Sequence, residues 1–318
     1  MATFNIFIST LAGIVLFLYS LSGFSKELQE AGAEKLPLWL GRITRHRLRG
    51  FALGVLLTAL IQSSSAVTSI TVSLVDAGVI SFVNSLAVLI GANLGSTFTA
   101  WLVAFKLDHL GSWLLVSGVL LGALPFRIKL VGKSIFYLGL ILFSLQEISV
   151  ALKPLSKDPE VLQWLAGVDS LWAGILIGAV LTALIQSSSV TTGLTIILAG
   201  QGLLSLPAAF AIVVGCNIGT TSTALIASMS LSQSAKDTAL ANLIFNTLGL
   251  VVFVPFIYPV AHWLSGFSLN ISYEVAFAHL IFNLGISLIG LPFIGPLSRF
   301  VLRLSSIPKN GFANGKKS

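Results

Sequence analysis

The chain has 318 residues, 55% of them hydrophobic and only 9% charged, with a mean hydropathy of +0.97. That composition excludes an ordinary soluble globular domain and points to an integral membrane protein. The net charge of +7 is spread over short loops and the carboxyl-terminal tail, which suits orientation in a lipid bilayer and gives no reason to expect a nucleic-acid partner.

The first apolar run, Phe4 to Phe24, is long enough for a hydrocarbon core of roughly 30 Å at about 1.5 Å per helical residue. It lacks a basic segment before it and a small-residue cleavage site after it, so it is predicted to be a retained helix, not a signal peptide. A basic stretch follows with Lys26, Lys35, Arg42, Arg45, Arg47 and Arg49. By the positive-inside rule this loop is cytoplasmic, as are Arg127, Lys129 and Lys133 further on. The same rule places Arg299, Arg303, Lys309, Lys316 and Lys317 inside, making the carboxyl terminus cytoplasmic.

Next comes TALIQSSS, Thr58 to Ser65, which recurs letter for letter at Thr182 to Ser189. One gapless offset of 124 aligns Gly54–Ala104 with Gly178–Ser228, and 22 of the 51 aligned pairs are identical. The identities concentrate on polar residues and glycine: both QSSS tetrads, Thr68/Thr192, Thr71/Thr195, Asn93/Asn217, Gly95/Gly219, Thr97/Thr221 and Thr99/Thr223. Upstream, GIVLF (Gly13 to Phe17) pairs with GLILF (Gly139 to Phe143), so each repeat includes one helix before its tetrad. Each half then reads helix, QSSS segment, broken helix at GANLGST (Gly91 to Thr97) or GCNIGTT (Gly215 to Thr221), helix.

If both tetrad segments turn back within the membrane, all the basic anchors fall on one side; if both cross, the loop at Arg127 moves outside. The first arrangement makes the first hairpin enter from the cytoplasm and the second from the opposite face. The predicted fold class is therefore all-α integral membrane, a polytopic helical bundle with two inverted-topology repeats, each with a re-entrant helical hairpin carrying QSSS. Seven full crossings accompany the two hairpins. Residues 1–126 form membrane repeat 1, 127–265 membrane repeat 2, 266–298 an extra transmembrane helix and 299–318 a basic cytoplasmic tail.

A helix broken at membrane depth is tolerated where protein or a water-filled cavity satisfies the freed backbone. The break at QSSS exposes N–H groups at the start of the following half-helix, and these with the serine hydroxyls form an anion site. The GANLGST and GCNIGTT segments offer amide, hydroxyl and carbonyl oxygens, the ligands that hard cations prefer. Asp76 is the only ionisable residue between Phe51 and Phe105, and there is no Asp, Glu, Lys, Arg or His between Leu171 and Leu231. Neutral dipoles compensate a multiply charged anion poorly in a low dielectric, so co-bound cations are expected with an anionic substrate. Small and hydroxyl residues also serve plain helix contacts in membranes, which explains any one of these positions but not a duplicated tetrad with a second duplicated motif at fixed spacing.

QSSSAVTSI and QSSSVTTGL, each followed by GANLGST or GCNIGTT, resemble the type II sodium/phosphate cotransporter family, and the resemblance covers about Leu11 to Pro255. NLIFN (Asn242 to Asn246) and HLIFN (His279 to Asn283) resemble short polar motifs downstream in that family. The resemblance implies a sodium-coupled inorganic phosphate symporter working by alternating access, with Na+ as the coupling ion and no other cofactor. It implies a phosphate site at Gln62, Ser63, Ser64, Ser65, Gln186, Ser187, Ser188 and Ser189, with Asn93 and Asn217 beside it. Sodium ligands implied are Gln62, Ser65, Thr68, Thr97, Gln186, Ser189, Thr191, Thr192 and Thr221. Some bacterial relatives carry a PhoU-like regulatory domain; this chain stops at Ser318, so control of that kind is absent or supplied by a separate PhoU-like protein. The compact chain suggests a bacterial inner membrane.

Other residues are less pointed. Asp76 reads either as a solvated acid beside "AGV" or as a cation ligand or proton carrier, and Glu147 as an interfacial acid. His46, His109, His262 and His279 lack metal-ligand spacing, and no histidine lies near the tandem serines, so no catalytic constellation is present and no enzyme is expected. Asn246 and Asn283 lie in apolar runs and are expected to bond between helices. Cys216, the lone cysteine, is expected to pack as a small residue. A cation-coupled carrier for another small oxyanion or a carboxylate, and a channel or non-transporting scaffold, remain as alternatives.

Overall fold

The computed structural model describes residues 2–32, 43–44, 46–105, 109–124, 128–161 and 170–306. The anchors Lys35, Arg42, Arg45, Arg127, Lys309, Lys316 and Lys317 lie outside the described residues, as does the side chain of Lys129. Among the described residues the chain is helical and forms no strand. The helices are α1 (Ala2–Gly32), α2 (Arg47–Ile61), α3 (Ser64–Asp76), α4 (Phe82–Gly95), α5 (Thr97–Ala104), α6 (Leu110–Gly122) and α7 (Ile128–Leu152). The second part adds α8 (Leu171–Ile185), α9 (Ser188–Gly200), α10 (Leu206–Ser228), α11 (Gln233–Phe253), α12 (Ile257–Ser265) and α13 (Ile271–Ser305).

Among the described residues, six segments are long and apolar enough to cross a membrane: Phe4–Leu28, Phe82–Ala104, Val131–Ser156, Leu206–Ser228, Gln233–Ser265 and Ile271–Ser305. The sequence suggests seven. The seventh corresponds to α6, whose 13 residues rise about 20 Å and which lies antiparallel along α7, Gly111 against Phe143 and Gly118 against Phe136.

The tetrad helices are placed by close glycine packing. A methyl group at Gly54 would overlap the Val88 carbonyl, and one at Gly91 the Phe51 carbonyl, so α2 and α4 touch backbone to backbone. Gly50 lies beside Ala87, and Gly95 beside Thr58, so the two helices run in the same direction. The intervening α3 must therefore run back, and Val75 and Ile80 do share an apolar cluster with Leu53 and Leu57. The second half repeats this. Gly178 meets the Ile212 carbonyl, Gly215 the Ile175 carbonyl, and Gly219 the side chain of Thr182, so α8 and α10 are parallel as well.

These contacts also decide what the GANLGST and GCNIGTT glycines do. In the first half the helix is only interrupted at Ser96, which keeps helical dihedrals (φ −65°, ψ −19°). In the second, α10 runs without a break through Gly215–Thr221. The broken helix expected from the sequence is thus a mild interruption in one half and continuous in the other, because the glycines serve close approach rather than unwinding.

Helices α1, α6 and α7 pack chiefly on one another and touch the rest more sparingly. Gly118 meets Phe136 and Gly139 meets Leu115 between α6 and α7, while Gly13 meets Ile148 and Gly23 meets Tyr137 between α1 and α7. Glu27 of α1 accepts a 2.8 Å hydrogen bond from Lys133 of α7, so α1 and α7 are antiparallel neighbours.

Candidate functional site

Each tetrad sits at a sharp turn between two helices. Gln62 closes α2 in the left-handed region (φ 57°, ψ 26°), its N–H bonded to the Thr58 carbonyl at 2.8 Å. Ser63 follows extended (φ −145°, ψ 98°) and its hydroxyl accepts from the Ala66 N–H at 3.1 Å, capping α3. Gln186 and Ser187 repeat the geometry (φ 58°, ψ 26°; φ −145°, ψ 102°). A left-handed residue other than glycine costs about 1–2 kcal/mol, so a glutamine here is held for its side chain.

The two turns meet. All eight tetrad residues, Gln62 to Ser65 and Gln186 to Ser189, line one cavity of about 350 Å³, with Ser22, Ser25 and Lys26 of α1 on its wall. The Ser65 hydroxyl donates to the Gln186 carbonyl at 3.3 Å. Thr223 of α10 bonds the Ser65 hydroxyl at 3.5 Å, and its repeat mate Thr99 of α5 lies 3.4 Å from the Ser189 hydroxyl. Thr99 also donates to Gln62 Oε1 at 2.9 Å, while Gln62 Nε2 donates to the Ala59 carbonyl. Gln62 is thereby tied down and buried, whereas Gln186 is exposed to the cavity.

The first turns of α3 and α9 border the cavity with N–H groups that have no acceptor within their own helices. Two helix amino termini and six serine hydroxyls around one space suit a small oxyanion, by partial positive charge and by donor count.

The remaining predicted residues stand behind this wall and do not line the cavity. Asn93 donates to Asn246 Oδ1 at 3.0 Å, and Asn217 to Asn283 Oδ1 at 2.7 Å, so Asn246 and Asn283 bond between helices as expected. Thr97 and Thr221 turn their hydroxyls onto the Leu94 and Ile218 carbonyls at 2.8 and 2.7 Å. Thr191 bonds the Ser187 carbonyl at 3.5 Å, and Thr68 is buried. The buried hydroxyls of Thr182 and Thr192 face the Cys216 thiol, while that of Thr58 is buried without a partner.

A family model described as Na+/Pi-cotransporter matches residues 16–150 and 158–295. The chain belongs to the Na+/Pi-cotransporter family. The resemblance carried by the tetrads is thus borne out, and family membership together with six membrane-length apolar helices makes this a membrane protein of a phosphate-transporter family. An uncharacterized protein, YqeW, of Bacillus subtilis (strain 168) is 36% identical over 274 residues, covering 85% of this chain and 89% of that one. A putative inorganic phosphate export protein, YjbB, of Salmonella typhimurium is 30% identical over 241 residues, 75% of this chain but only 44% of YjbB. Sodium-dependent phosphate transport protein 2B of Bos taurus is 35% identical over 115 residues, 35% of this chain and 16% of that protein. The chain thus matches less than half of these two phosphate-related proteins. No solved structure matches it.

The sequence alone assigns no part in the site to Thr99, Thr223, Ser22, Ser25 or Lys26. Thr99 and Thr223 were flagged by their identity across the repeat; Lys26 carried only its charge, read as a membrane anchor. Asp76 is exposed and its carboxylate accepts the Ser232 N–H at 2.7 Å at the start of α11. The Ser232 N–H and hydroxyl hold that carboxyl below its ordinary value.

Proposed function

We propose that this protein is a sodium-coupled secondary transporter that moves inorganic phosphate across the membrane by alternating access. The observation that carries the reading is the convergence of both QSSS turns, with two helix amino termini, on one small polar cavity. Phosphate is held between the tetrads, Gln62 to Ser65 and Gln186 to Ser189, with Asn93 and Asn217 bracing the surrounding helices through their partners. Sodium is assigned to the oxygens of Gln62, Ser65, Thr68, Thr97, Gln186, Ser189, Thr191, Thr192 and Thr221. Thr68, Thr97, Thr191, Thr192 and Thr221 are buried hydroxyls, oxygen donors of the kind that hard cations take.

The reversal of α3 against α2, and of α9 against α8, supports two re-entrant hairpins. Arg47 at the start of α2 lies beside Gly295 in the later half of α13, and Gln201 at the end of α9 bonds the Ser149 carbonyl at 2.6 Å near the end of α7. The hairpins thus approach from the two ends of the bundle, which supports an inverted repeat. Cysteines placed near Gly50 and Gly78 are labelled from the same side if the first hairpin re-enters; labelling from opposite faces contradicts it. The sparse packing of α1, α6 and α7 on the remaining helices supports movement of one bundle against the other, with the cavity at their boundary.

The names of relatives speak of phosphate export in one case and sodium-dependent phosphate transport in another. A coupled carrier is reversible, and its net direction follows the two gradients. The bacterial relatives support a bacterial plasma membrane. The deciding experiment is equilibrium binding of phosphate to purified protein with sodium and with potassium, followed by competition with arsenate, sulfate and dicarboxylates. Phosphate binding that requires sodium and yields to arsenate supports the reading; sodium-independent binding, or preference for sulfate or a dicarboxylate, overturns it.

A further inference from the structure

The tetrads contain no charged side chain, yet their cavity does. Lys26 of α1 is the one ionisable residue on the wall of the tetrad cavity among the described residues. With Ser22 and Ser25 it occupies one face of α1, at spacings of three and four residues. An adjoining face is fixed to α7 by two contacts, Gly23 against Tyr137 and Glu27 to Lys133 at 2.8 Å. These set the rotation of α1, and in that setting Ser22, Ser25 and Lys26 reach the cavity wall. In the structure Lys26 Nζ rests 3.8 Å from the Glu30 carboxylate, with both side chains largely exposed (77% and 57%). An exposed i,i+4 pair of this kind contributes little and is readily exchanged for a better anion.

We infer that Lys26 is the cation of the tetrad cavity, drawing the oxyanion in and exchanging Glu30 for it as the anion reaches the tetrads. This rests on the reading of the cavity as an anion site. The charge arrangement follows from the chemistry: hydroxyls and N–H dipoles give shape and donors, and a flexible ammonium at the wall supplies the full positive charge that those neutral groups lack. A lysine on an aqueous cavity wall raises the local anion concentration, and the effect weakens with ionic strength.

Two arms test it. In liposomes, Lys26→Gln raises the KM for phosphate about tenfold and flattens its dependence on ionic strength, Lys26→Arg restores both, and Glu30→Gln, which removes the competitor, lowers KM. The second arm needs no transport. In a Cys216→Ala background, Ser22→Cys reacts faster with an anionic than with a cationic thiosulfonate, and Lys26→Gln abolishes the preference. If phosphate is not transported but the labelling preference depends on Lys26, the phosphate reading fails and the anion role of Lys26 stands. A labelling preference unaffected by Lys26→Gln, or a phosphate KM and salt dependence unchanged by it in a transporting protein, overturns the inference, as does a rise in KM for Glu30→Gln.

Discussion

The hydroxyl of Ser65 donates to the main-chain carbonyl of Gln186 at 3.3 Å, joining residues 121 positions apart in the chain. The bond ties the first tetrad to the turn of the second, so the two halves of the cavity are held in register by the residues that line it. The neighbouring pairs, Thr99 with Ser189 and Thr223 with Ser65, are repeat mates of each other and lock the same two turns from behind.

If the first turns of α3 and α9 hold phosphate, Ser64→Ala and Ser188→Ala each raise the phosphate KM. Hydrogen bonds to charged groups contribute about 1.5–3 kcal/mol, so the loss is on the order of ten- to a hundredfold. Among the described residues the Ser64 and Ser188 hydroxyls make no cross-helix hydrogen bond that their loss would break, so the purified variants should keep their melting behaviour. Normal KM in both variants would remove the tetrads from the site.

Thr99 is expected to matter as much as a tetrad residue although it touches the cavity only through others. Thr99→Val keeps the shape but leaves Gln62 Oε1 without its 2.9 Å donor, at a cost of about 1–3 kcal/mol in a buried setting. Transport falls, and Thr99→Ser recovers most of it. Thr97→Val, whose parent hydroxyl bonds only the Leu94 carbonyl one turn earlier, serves as the comparison for fold stability. Equal stability and transport in Thr99→Val and wild type would show that Gln62 needs no such tether.

The paired asparagines give a double-mutant cycle. Asn93→Ala and Asn246→Ala are predicted to be non-additive, with a coupling energy of about 0.5–1.5 kcal/mol, typical of hydrogen bonds between membrane helices. Thermal unfolding in detergent measures it. Strict additivity would mean that the 3.0 Å contact contributes nothing to the packing of α4 on α11.

Asp76 is predicted to be a cap and not a coupling residue. Its folded carboxyl is held below its ordinary 3.8 by Ser232, so its contribution to stability is complete above that value and is lost as pH falls through the lower, folded value. Asp76→Asn should therefore melt below wild type at neutral pH, with the gap closing at strongly acid pH, and leave the sodium dependence of flux unaltered. A changed sodium dependence would restore Asp76 as a cation ligand.

Much of the site is legible in the repeat itself. A glutamine kept at the same place in two apolar segments marks the two left-handed turns, because nothing in helix packing asks for it. Which threonine serves the turn is not legible. Thr97 and Thr99 are both retained in the repeat, but two residues apart on a helix they face about 200° apart, so only packing decides that Thr99 meets Gln62. The glycines of GCNIGTT have the same ambiguity, since a residue without a side chain suits a broken helix and a backbone contact equally; the Ile175 carbonyl against Gly215 settles it. Lys26 was hidden for a different reason. Its charge reads as a loop anchor until the packing of α1 brings it to the cavity wall beside Ser22 and Ser25.

The most direct test of the central claim is radiolabelled phosphate flux in liposomes containing the purified protein, with an imposed sodium gradient and with potassium in its place. Phosphate accumulation that follows the sodium gradient, reverses when the gradient is reversed and is absent in potassium is the predicted result. Equal flux in potassium, or none in either condition from demonstrably folded protein, would contradict a sodium-coupled phosphate carrier.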